Sequence, residues 1–379
     1  MQALPSRFHA LDALRGVASL SVVLWHWQHF FAPLNPVGAP LLRAQQPGYS
    51  FLGFFYLHGA VAVQLFFCLS GFIFFWKYGE AVAKRQLLFA RFAWWRLARL
   101  YPLHLLTLLV VAVGQWTFYS STDHYFVYQA NDVYHFVLNL FFAPAWGFQR
   151  DYSFNAPIWS VSIEILLYGL FFIACRLTGA APRAPAILAW LLVGFLVGPF
   201  NNQLGVGIVF FFLGALSYRI YVHALQREVA AACAPWAVTL TLLAWGGAVM
   251  VAQTAATISL PSSAAFLGAD LFAVLATLVF PLTVLALALM QVRSAGFGHT
   301  LQALGNISYS SYLLHFPLQL ACATLVTTLG ISPEIFYSPL MLLCFIVMLL
   351  LVSTASFHWF ELPAQNFLRQ RLPRRAAAT

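Results

Sequence analysis

The first apolar run of the chain contains ionisable residues, and this constrains the fold more than any other feature. Residues 10–31 are long enough to cross a bilayer as a helix, yet Asp12, Arg15 and His26 lie among them. At about 100° per residue, these three side chains and Ser19 fall on one stripe of the helix. Ionisable groups inside a bilayer are costly and usually face a protein interior or a wet cavity. We therefore expect the stripe to meet other polar helices.

The composition indicates a polytopic membrane protein. Of the 379 residues, 62% are hydrophobic and only 8% are charged, whereas about a quarter of the residues of a soluble domain are charged. We predict an all-α integral membrane protein with about ten transmembrane helices, because apolar runs of about 17–25 residues mark such helices. The runs lie at roughly 10–31, 59–76, 97–118, 157–175, 185–199, 203–221, 236–253, 265–290, 303–329 and 336–359.

The positions of the basic residues predict the orientation in the membrane. With ten spans, the two termini and the loops after spans 2, 4, 6 and 8 share one side. These segments contain sixteen of the nineteen Lys and Arg residues, because only Arg15, Arg43 and Arg150 lie elsewhere. Cytoplasmic loops carry such an excess, so we predict cytoplasmic termini. The net charge of +9 then reflects topology and does not imply nucleic acid as a partner.

We expect residues 1–379 to form a single polytopic domain with spans over about 10–360. The basic segment 364–379 is predicted to be a cytoplasmic tail that contacts the anionic bilayer surface. We expect no cleavable signal peptide and no fused extracytoplasmic domain. The five cysteines lack metal-ligand spacing, which predicts no metal site.

Two extramembrane segments have distinctive content. The segment 77–99 is basic and aromatic, and we predict an interfacial helix around Phe89–Leu100. The segment 119–156 is the longest loop and contains two histidines, His124 and His135. Loops of this length are usually functional, so it could contribute to an acceptor site. Its individual acids and histidines are expected to be solvated.

A carboxylate lies within the fourth predicted span. Pro157 suits the first turn of a helix, and Ser160, Glu164 and Tyr168 follow on one face at four-residue spacing. At 1.5 Å per residue, Glu164 would lie about 10 Å below the outer surface. His26 would lie in the same outer half, about 24 Å from the inner end of the first span. The sequence therefore predicts that Glu164 and His26 can meet.

Three other spans carry polar patterns. The ninth span presents one stripe, formed by Ser308, Ser311, Tyr312, His315 and Gln319. Arg96 and Arg99 share a helix face at the inner interface, where guanidinium groups could bind phosphates or simply fix the topology. Ser70 and Gly71 permit close helix packing, or they leave room for a slender ligand.

Taken together, these segments resemble the acyltransferase 3 family, bacterial membrane enzymes that acylate cell-surface and exported glycans. The resemblance rests on six short motifs in the family's order, none of them specific alone. The matching segments are Leu11–Ala18 with His26, Phe66–Phe72, Arg96–Pro102, Trp159–Glu164, Ser308–Pro317 and Glu361–Pro363. They extend over most of the chain.

The resemblance implies an acyl-CoA co-substrate, usually acetyl-CoA, used from the cytoplasm, with no permanently bound cofactor. The acceptor would be a hydroxyl of a glycan or lipid-linked sugar at the outer side of a bacterial inner membrane. An imidazole suits the removal of a hydroxyl proton, so we expect His26 to be the general base. Glu164 would orient His26 or contact the acceptor. If His26 is not the base, His315 is the next choice.

The other expected roles divide between the two substrates. Donor binding is assigned to Arg96, Arg99, Ser70 and Arg15. Support of the site or contact with the acceptor is assigned to Asp12, Trp159, Ser160, Tyr312, His315 and Glu361. We expect Asp12 and Arg15 to form a buried pair that fixes the first span. Direct transfer and an acyl-enzyme route are both compatible with these residues.

Two other classes of protein fit a chain of this composition. A transporter or flippase would use the intramembrane His, Glu and Arg residues as a proton or substrate path. The sequence shows no matching pair of Gly- or Pro-interrupted halves, which is evidence against this class. A membrane polymerase or ligase of glycans would need no site for CoA phosphates. Release of CoA from acetyl-CoA separates an acyltransferase from both.

Overall fold

The structure is a computed structural model that describes residues 5–254 and 271–371. Within these ranges it is almost entirely helical. The α-helices, numbered here in chain order, are α1 (His9–Trp25), α2 (Tyr49–His58), α3 (Ala62–Ala83), α4 (Phe89–Thr122), α5 (Val133–Leu140), α6 (Trp159–Thr178), α7 (Ala184–Val197), α8 (Asn202–Gln226), α9 (Ala230–Thr254), α10 (Leu271–Arg293), α11 (Gln302–Asn306), α12 (Ser308–Thr328), α13 (Pro339–Ala355) and α14 (Leu362–Gln370). Two short strands, Phe31–Ala32 and Ala39–Pro40, pair in parallel.

Seven helical segments of the described residues are long and apolar enough to cross a membrane. They are Tyr49–Ala83, Phe89–Thr122, Ala156–Thr178, Asn202–Gln226, Ala230–Gln253, Leu271–Arg293 and Pro339–Gln370. Ala184–Val197 is a shorter apolar helix. The prediction of an all-α membrane protein is therefore confirmed. Residues 265–270 of the eighth predicted span, and the tail from residue 372, lie outside the described residues.

The first and ninth predicted spans correspond to α1 and α12, and their polar stripes face each other. The Ser19 hydroxyl lies 2.7 Å from the Ser311 hydroxyl and donates to Ser308 O at 3.1 Å. Arg15 donates to Gly305 O just before α12 at 3.2 Å. The expected meeting of polar helices is therefore confirmed. It places the ionisable side chains of α1 inside the protein.

The first span differs from its prediction at its outer end. The α-helix ends at Trp25, and His26–Phe30 forms a 3₁₀ turn instead of continuing the α-helix to residue 31. In a 3₁₀ turn, side chains three residues apart lie above each other. His26 and His29 are therefore neighbours, with ring centroids 4.7 Å apart.

Two predictions for the connecting segments are wrong. The expected interfacial helix at Phe89–Leu100 is the beginning of one long helix, α4, which continues through Pro102 to Thr122. His135, expected to be solvated, is only 1% exposed. Asp132 caps α5 by accepting from the backbone and the ring of His135, at 2.8 and 2.7 Å. The segment before α6 is thus folded against the helices.

Glycines allow α3 and α8 to cross in close contact. A Cβ atom added to Gly71 would overlap the carbonyl group of Phe211, and one added to Gly214 would overlap that of Cys68. The Ser70-Gly71 pair was predicted to permit such packing, and the prediction is confirmed for Gly71. This crossing fixes α3, whose other residues line the cavity described below.

Replacing Gly71 with Ala is expected to lower the free energy of unfolding by about 1–3 kcal/mol, the usual cost of overpacking a core. The thermal unfolding of the purified protein in detergent would measure this effect. Gly246→Ala is the matched control, because no atom lies within 4 Å of the added Cβ. Equal unfolding temperatures for the two variants would show that the α3–α8 contact is not close.

Candidate active site

A cavity of about 460 Å³ lies between α1, α3, α4, α6, α12 and the C-terminal helix α14. Its wall contains six basic side chains and three acidic ones. They are Arg7, Arg15, Lys77, Arg96, Arg99 and Arg369, and Asp12, Glu164 and Glu361. A cleft with this excess of one charge attracts ligands of the opposite charge. The cavity is therefore suited to an anion.

The structure gathers most of the predicted site residues around this cavity. Its lining includes nine of them, namely Asp12, Arg15, Ser70, Arg96, Arg99, Ser160, Glu164, Tyr312 and Glu361. His26, Trp159 and His315 are not in the lining. Trp159 instead packs near Phe67, with ring centroids 6.3 Å apart.

One ion-paired group joins the N-terminal segment to α1. The Asp12 carboxylate lies 2.6 Å from Arg7 Nε and 2.9 Å from an Arg15 nitrogen. Arg7 also donates to Asn306 Oδ1 at 2.6 Å. The structure thus contains the expected Asp12–Arg15 pair, and Arg7 is a third member that the sequence did not indicate. These cations already have a counter-charge.

A second ion pair joins α4 and α6. Arg96 donates to Glu164 Oε1 at 3.1 Å and to the Tyr168 hydroxyl at 3.0 Å. The same carboxylate oxygen accepts from Ser70 at 3.4 Å. The guanidinium also lies over the ring of Phe74, 4.9 Å from its centroid. Arg96, on α4, is thus enclosed by partners from α3 and α6.

Glu164 therefore has a different partner from the one predicted. Its hydrogen bonds are to Arg96 and Ser70, and none joins it to His26. The estimate of depth assumed that α6 begins at the outer surface. Asn155, just before α6, instead donates to Leu313 O in the first third of α12 at 3.0 Å, so the start of α6 packs against the helix that carries Tyr312 and His315.

Arg99 lacks a partner of this kind. In residues 5–254 and 271–371 it forms no hydrogen bond and no ion pair, although it lines the cavity. Lys77 and Arg369 also line the cavity without an ion pair in the described ranges. Three of the six cations are therefore available to a ligand.

Hydroxyl groups line part of the cavity. Ser160 and Tyr312 share a hydrogen bond of 2.8 Å, and Tyr312 also donates to Pro157 O at 2.9 Å. On another wall, the buried Glu361 accepts from Ser310 at 2.6 Å and from Ser356 at 2.8 Å. Glu361 ends a π-helical turn, Ser356–Glu361, and such turns are frequent at functional sites.

A cluster of three buried histidines lies one helical turn beyond Tyr312. The ring centroid of His26 is 4.7 Å from that of His29 and 4.7 Å from that of His315. Tyr312 connects the cluster to the cavity, because its ring lies 6.0 Å from the His315 ring and its hydroxyl is in the cavity wall. No three His, Cys, Asp or Glu residues in the described ranges are placed to hold a metal ion.

The sequence analysis did not identify His29 and Tyr128 as members of this cluster. The Tyr128 hydroxyl donates to His29 Nε2 at 3.3 Å, and His29 Nδ1 lies 3.0 Å from Gln319 Oε1. The spacing of His26 and His29 was a usable signal, because residues three apart share a face in α- and 3₁₀-helices. Tyr128 comes from the long segment before α6, and its position had no sequence signal.

The fold and the site define a polytopic helical membrane protein with a basic ligand cavity next to a histidine cluster. The profile of the acyltransferase 3 family, described as an acyltransferase domain, matches residues 8–358. This range is nearly the whole chain, so the protein belongs to that family.

Two curated relatives match shorter stretches. Protein 2 in the picA locus of Rhizobium radiobacter is 36% identical over 111 residues, which are 29% of this chain and 47% of the relative. Acyltransferase MdmB of Streptomyces mycarofaciens is 30% identical over 181 residues, which are 46% of this chain and 41% of the relative. The chain thus spans less than half the length of each relative. No solved structure matches the chain.

Proposed function

We propose that this protein is an O-acyltransferase of a bacterial inner membrane. It moves an acyl group, acetyl in the simplest case, from cytoplasmic acyl-CoA to a hydroxyl of a cell-surface or exported carbohydrate. Membership of the acyltransferase 3 family supports acyl transfer, and one relative is named an acyltransferase. The choice of donor rests on the cavity.

The observation that carries the proposal is the set of free cations in the cavity. CoA carries a diphosphate and a 3′-phosphate, and its pantetheine arm is narrow and uncharged. Lys77, Arg99 and Arg369 line the cavity without forming an ion pair among the described residues, and Arg and Lys side chains bind phosphates well. The phosphates would lie near these cations, and the arm would extend toward Ser160 and Tyr312.

The histidine cluster supports the acceptor half of the reaction. An imidazole near neutral pH can accept a proton from a hydroxyl that attacks a thioester. His26 is 8% exposed, and its Nε2 forms no hydrogen bond with the described residues. His26 would thus remove the acceptor proton on the far side of Tyr312. Glu164 would hold Arg96 in the cavity wall instead of orienting His26.

The proposal includes a direction across the membrane. The basic residues favour ten spans with cytoplasmic termini. Lys77 directly follows the end of the second predicted span and Arg96 precedes the third, so the phosphate end of the cavity would face the cytoplasm. The histidines at the end of α1 would then lie nearer the outer side, where the carbohydrate is.

The topology gives a prediction that requires no enzyme assay. A reporter that is active only in the cytoplasm, fused after Thr379, is expected to be active. The same reporter inserted at Gln129 is expected to be inactive, because residues 119–156 are assigned to the outer side. A cytoplasmic signal at Gln129, or its absence after Thr379, would contradict the ten-span topology.

The activity itself is tested with purified protein in lipid vesicles and acetyl-CoA labelled in the acetyl group. We expect CoA to be released and label to appear in added cell-envelope carbohydrate. Vesicles without the protein are the control for spontaneous thioester hydrolysis. Tight binding of acetyl-CoA without release of CoA would contradict the proposal and favour a transporter.

A further inference from the structure

The three clustered histidines all hold a hydrogen atom on the same ring nitrogen. In each ring Nδ1 faces an oxygen that can only accept, at 2.7–3.0 Å. These oxygens are Val22 O for His26, Gln319 Oε1 for His29 and Tyr312 O for His315. The amide of Gln319 is oriented by its nitrogen, which donates to His26 O at 2.9 Å. In the neutral rings, Nδ1 therefore carries the hydrogen and Nε2 carries the lone pair.

The Nε2 atoms of the three rings differ in their partners. His29 Nε2 accepts from the Tyr128 hydroxyl at 3.3 Å, so both nitrogens of His29 are engaged. His315 is completely buried, and its Nε2 has no partner among the described residues. His26 Nε2 also forms no hydrogen bond in those ranges. Buried polar atoms without a partner are rare and require an explanation.

Two neutral rings with free lone pairs cannot bond to each other, but one added proton changes this. When His26 Nε2 is protonated it becomes a donor, and the lone pair of His315 can accept from it. The two ring centroids are 4.7 Å apart, and the ring planes differ by 39°. The pairing requires the rings to turn until Nε2 of His26 faces Nε2 of His315.

We propose that His26 and His315 form a pair that holds one proton during acyl transfer, with His315 as a positioning residue for protonated His26. This inference rests on the proposed function and assigns His315 a role in it. In catalytic triads a carboxylate stabilises the protonated histidine. Here Glu164 is committed to Arg96, so the neighbouring imidazole fills that position.

The surroundings of the pair favour a single proton. The rings that face the pair are those of His29, Tyr312 and Trp25. Tyr128 bonds to His29, and Gln319 bonds to His29 and to the backbone carbonyl of His26. Among the described residues, no Asp, Glu, Lys or Arg forms an ion pair or a hydrogen bond with either ring. Two neighbouring imidazolium cations without a counter-charge would repel each other, because this interior has a low dielectric constant.

The reaction step balances with one proton. The O–H bond of the acceptor breaks, and its proton forms an N–H bond at His26 Nε2. The oxygen forms an ester bond to the acyl carbon, and the C–S bond of the thioester breaks. The CoA thiolate then takes the proton back from His26 and leaves as the thiol. His315 exchanges no proton and accepts the hydrogen bond of His26 while His26 is charged.

The test is the pH dependence of acetyl transfer from acetyl-CoA to carbohydrate in membrane vesicles that contain the full-length protein. His315→Phe removes the lone pair but keeps a ring. Without an acceptor, protonated His26 is less stable, so the unprotonated base is present at lower pH. We expect the ascending limb of the rate profile to move by about one unit to lower pH and the plateau rate to fall at least about tenfold.

Two further variants separate the effect of losing the His315 lone pair from the effect of changed packing. His315→Gln supplies an amide oxygen as acceptor. It is expected to recover part of the rate and to return the midpoint of the ascending limb toward that of the parent protein. His29→Gln is the matched control, because its ring lies equally far from His26 but both of its nitrogens are engaged. It is expected to leave the midpoint of the limb unchanged.

Several outcomes would overturn the pairing. A lower rate in His315→Phe with an unchanged ascending limb would show that His315 has only a structural role. An equal shift of the limb in His29→Gln would show that the effect is not specific to His315. His315→Leu replaces His315→Phe if the latter does not fold, and the same outcomes apply. Because acetyl transfer by the parent protein is measured first, failure of the proposed function is distinguished from failure of the pairing.

Discussion

Replacing His26 with Ala is expected to lower acyl transfer by about 10²–10⁴-fold, the usual contribution of a general base. Acyl-CoA affinity should remain that of the parent protein, because His26 does not line the donor cavity. The measurement is the rate of acetyl transfer at saturating acetyl-CoA, together with the donor dissociation constant of each variant. The loss therefore should appear in turnover and not in donor binding.

His104→Gln is a suitable control for the loss of a buried imidazole. His104 is completely buried, lies 2.8 Å from Asn139 O and stacks on Phe142 with ring centroids 4.2 Å apart. This variant can lose stability but should keep its turnover per folded molecule. If His26→Ala keeps near-parent transfer, or loses activity only with acyl-CoA binding, His26 is structural and the base is elsewhere.

Arg99→Ala is expected to weaken acyl-CoA binding by about 1.5–3 kcal/mol, the worth of a hydrogen bond to a charged group. Because Arg99 has no partner in the described residues, its removal should leave the free energy of unfolding nearly unchanged. Binding of acetyl-CoA, measured by calorimetry, and thermal unfolding would establish both parts. Unchanged donor affinity in this variant would show that Arg99 does not contact the donor.

Comparing Arg96→Ala with Arg99→Ala distinguishes an arginine that stabilises the fold from one that binds the donor. Loss of Arg96 would leave the partly buried Glu164 without its ion-pair partner, and removing one member of a fully buried pair typically costs about 3–5 kcal/mol of stability, which is the upper bound here. We therefore expect Arg96→Ala to lower the unfolding temperature much more than Arg99→Ala. The double variant Arg96→Ala with Glu164→Gln should recover part of that loss, because the unpaired charge is removed. Equal stability of the two single variants would contradict this division of roles.

The sequence was sufficient to predict that the first span meets other polar helices, although it did not single out the ninth span as the partner. Ionisable residues in an apolar run have few stable environments. Asp12, Arg15 and His26 therefore required polar neighbours, and the stripe with Tyr312 and His315 was a suitable one. Hydropathy also predicted several long apolar helices, because the bilayer imposes a length on each of them. It did not predict their number, because about ten were expected and the described residues contain seven.

The partner of Glu164 could not be predicted from the sequence. Its depth was estimated from a helix that starts at the outer surface, but the start of α6 depends on how residues 123–156 fold against the bundle. Similarly, the contact of Tyr128 with His29 depends on how the long segment before α6 folds. Both features arise from tertiary packing, which local periodicity does not describe.

The central claim is that the donor and the acceptor are used from opposite sides of the membrane, and sealed vesicles test it most directly. Membrane vesicles with the cytoplasmic face outward are given labelled acetyl-CoA, which does not cross the bilayer. The account predicts labelled carbohydrate inside these vesicles, and no labelling in vesicles of the opposite orientation until they are permeabilised. Equal labelling in sealed vesicles of both orientations would contradict it.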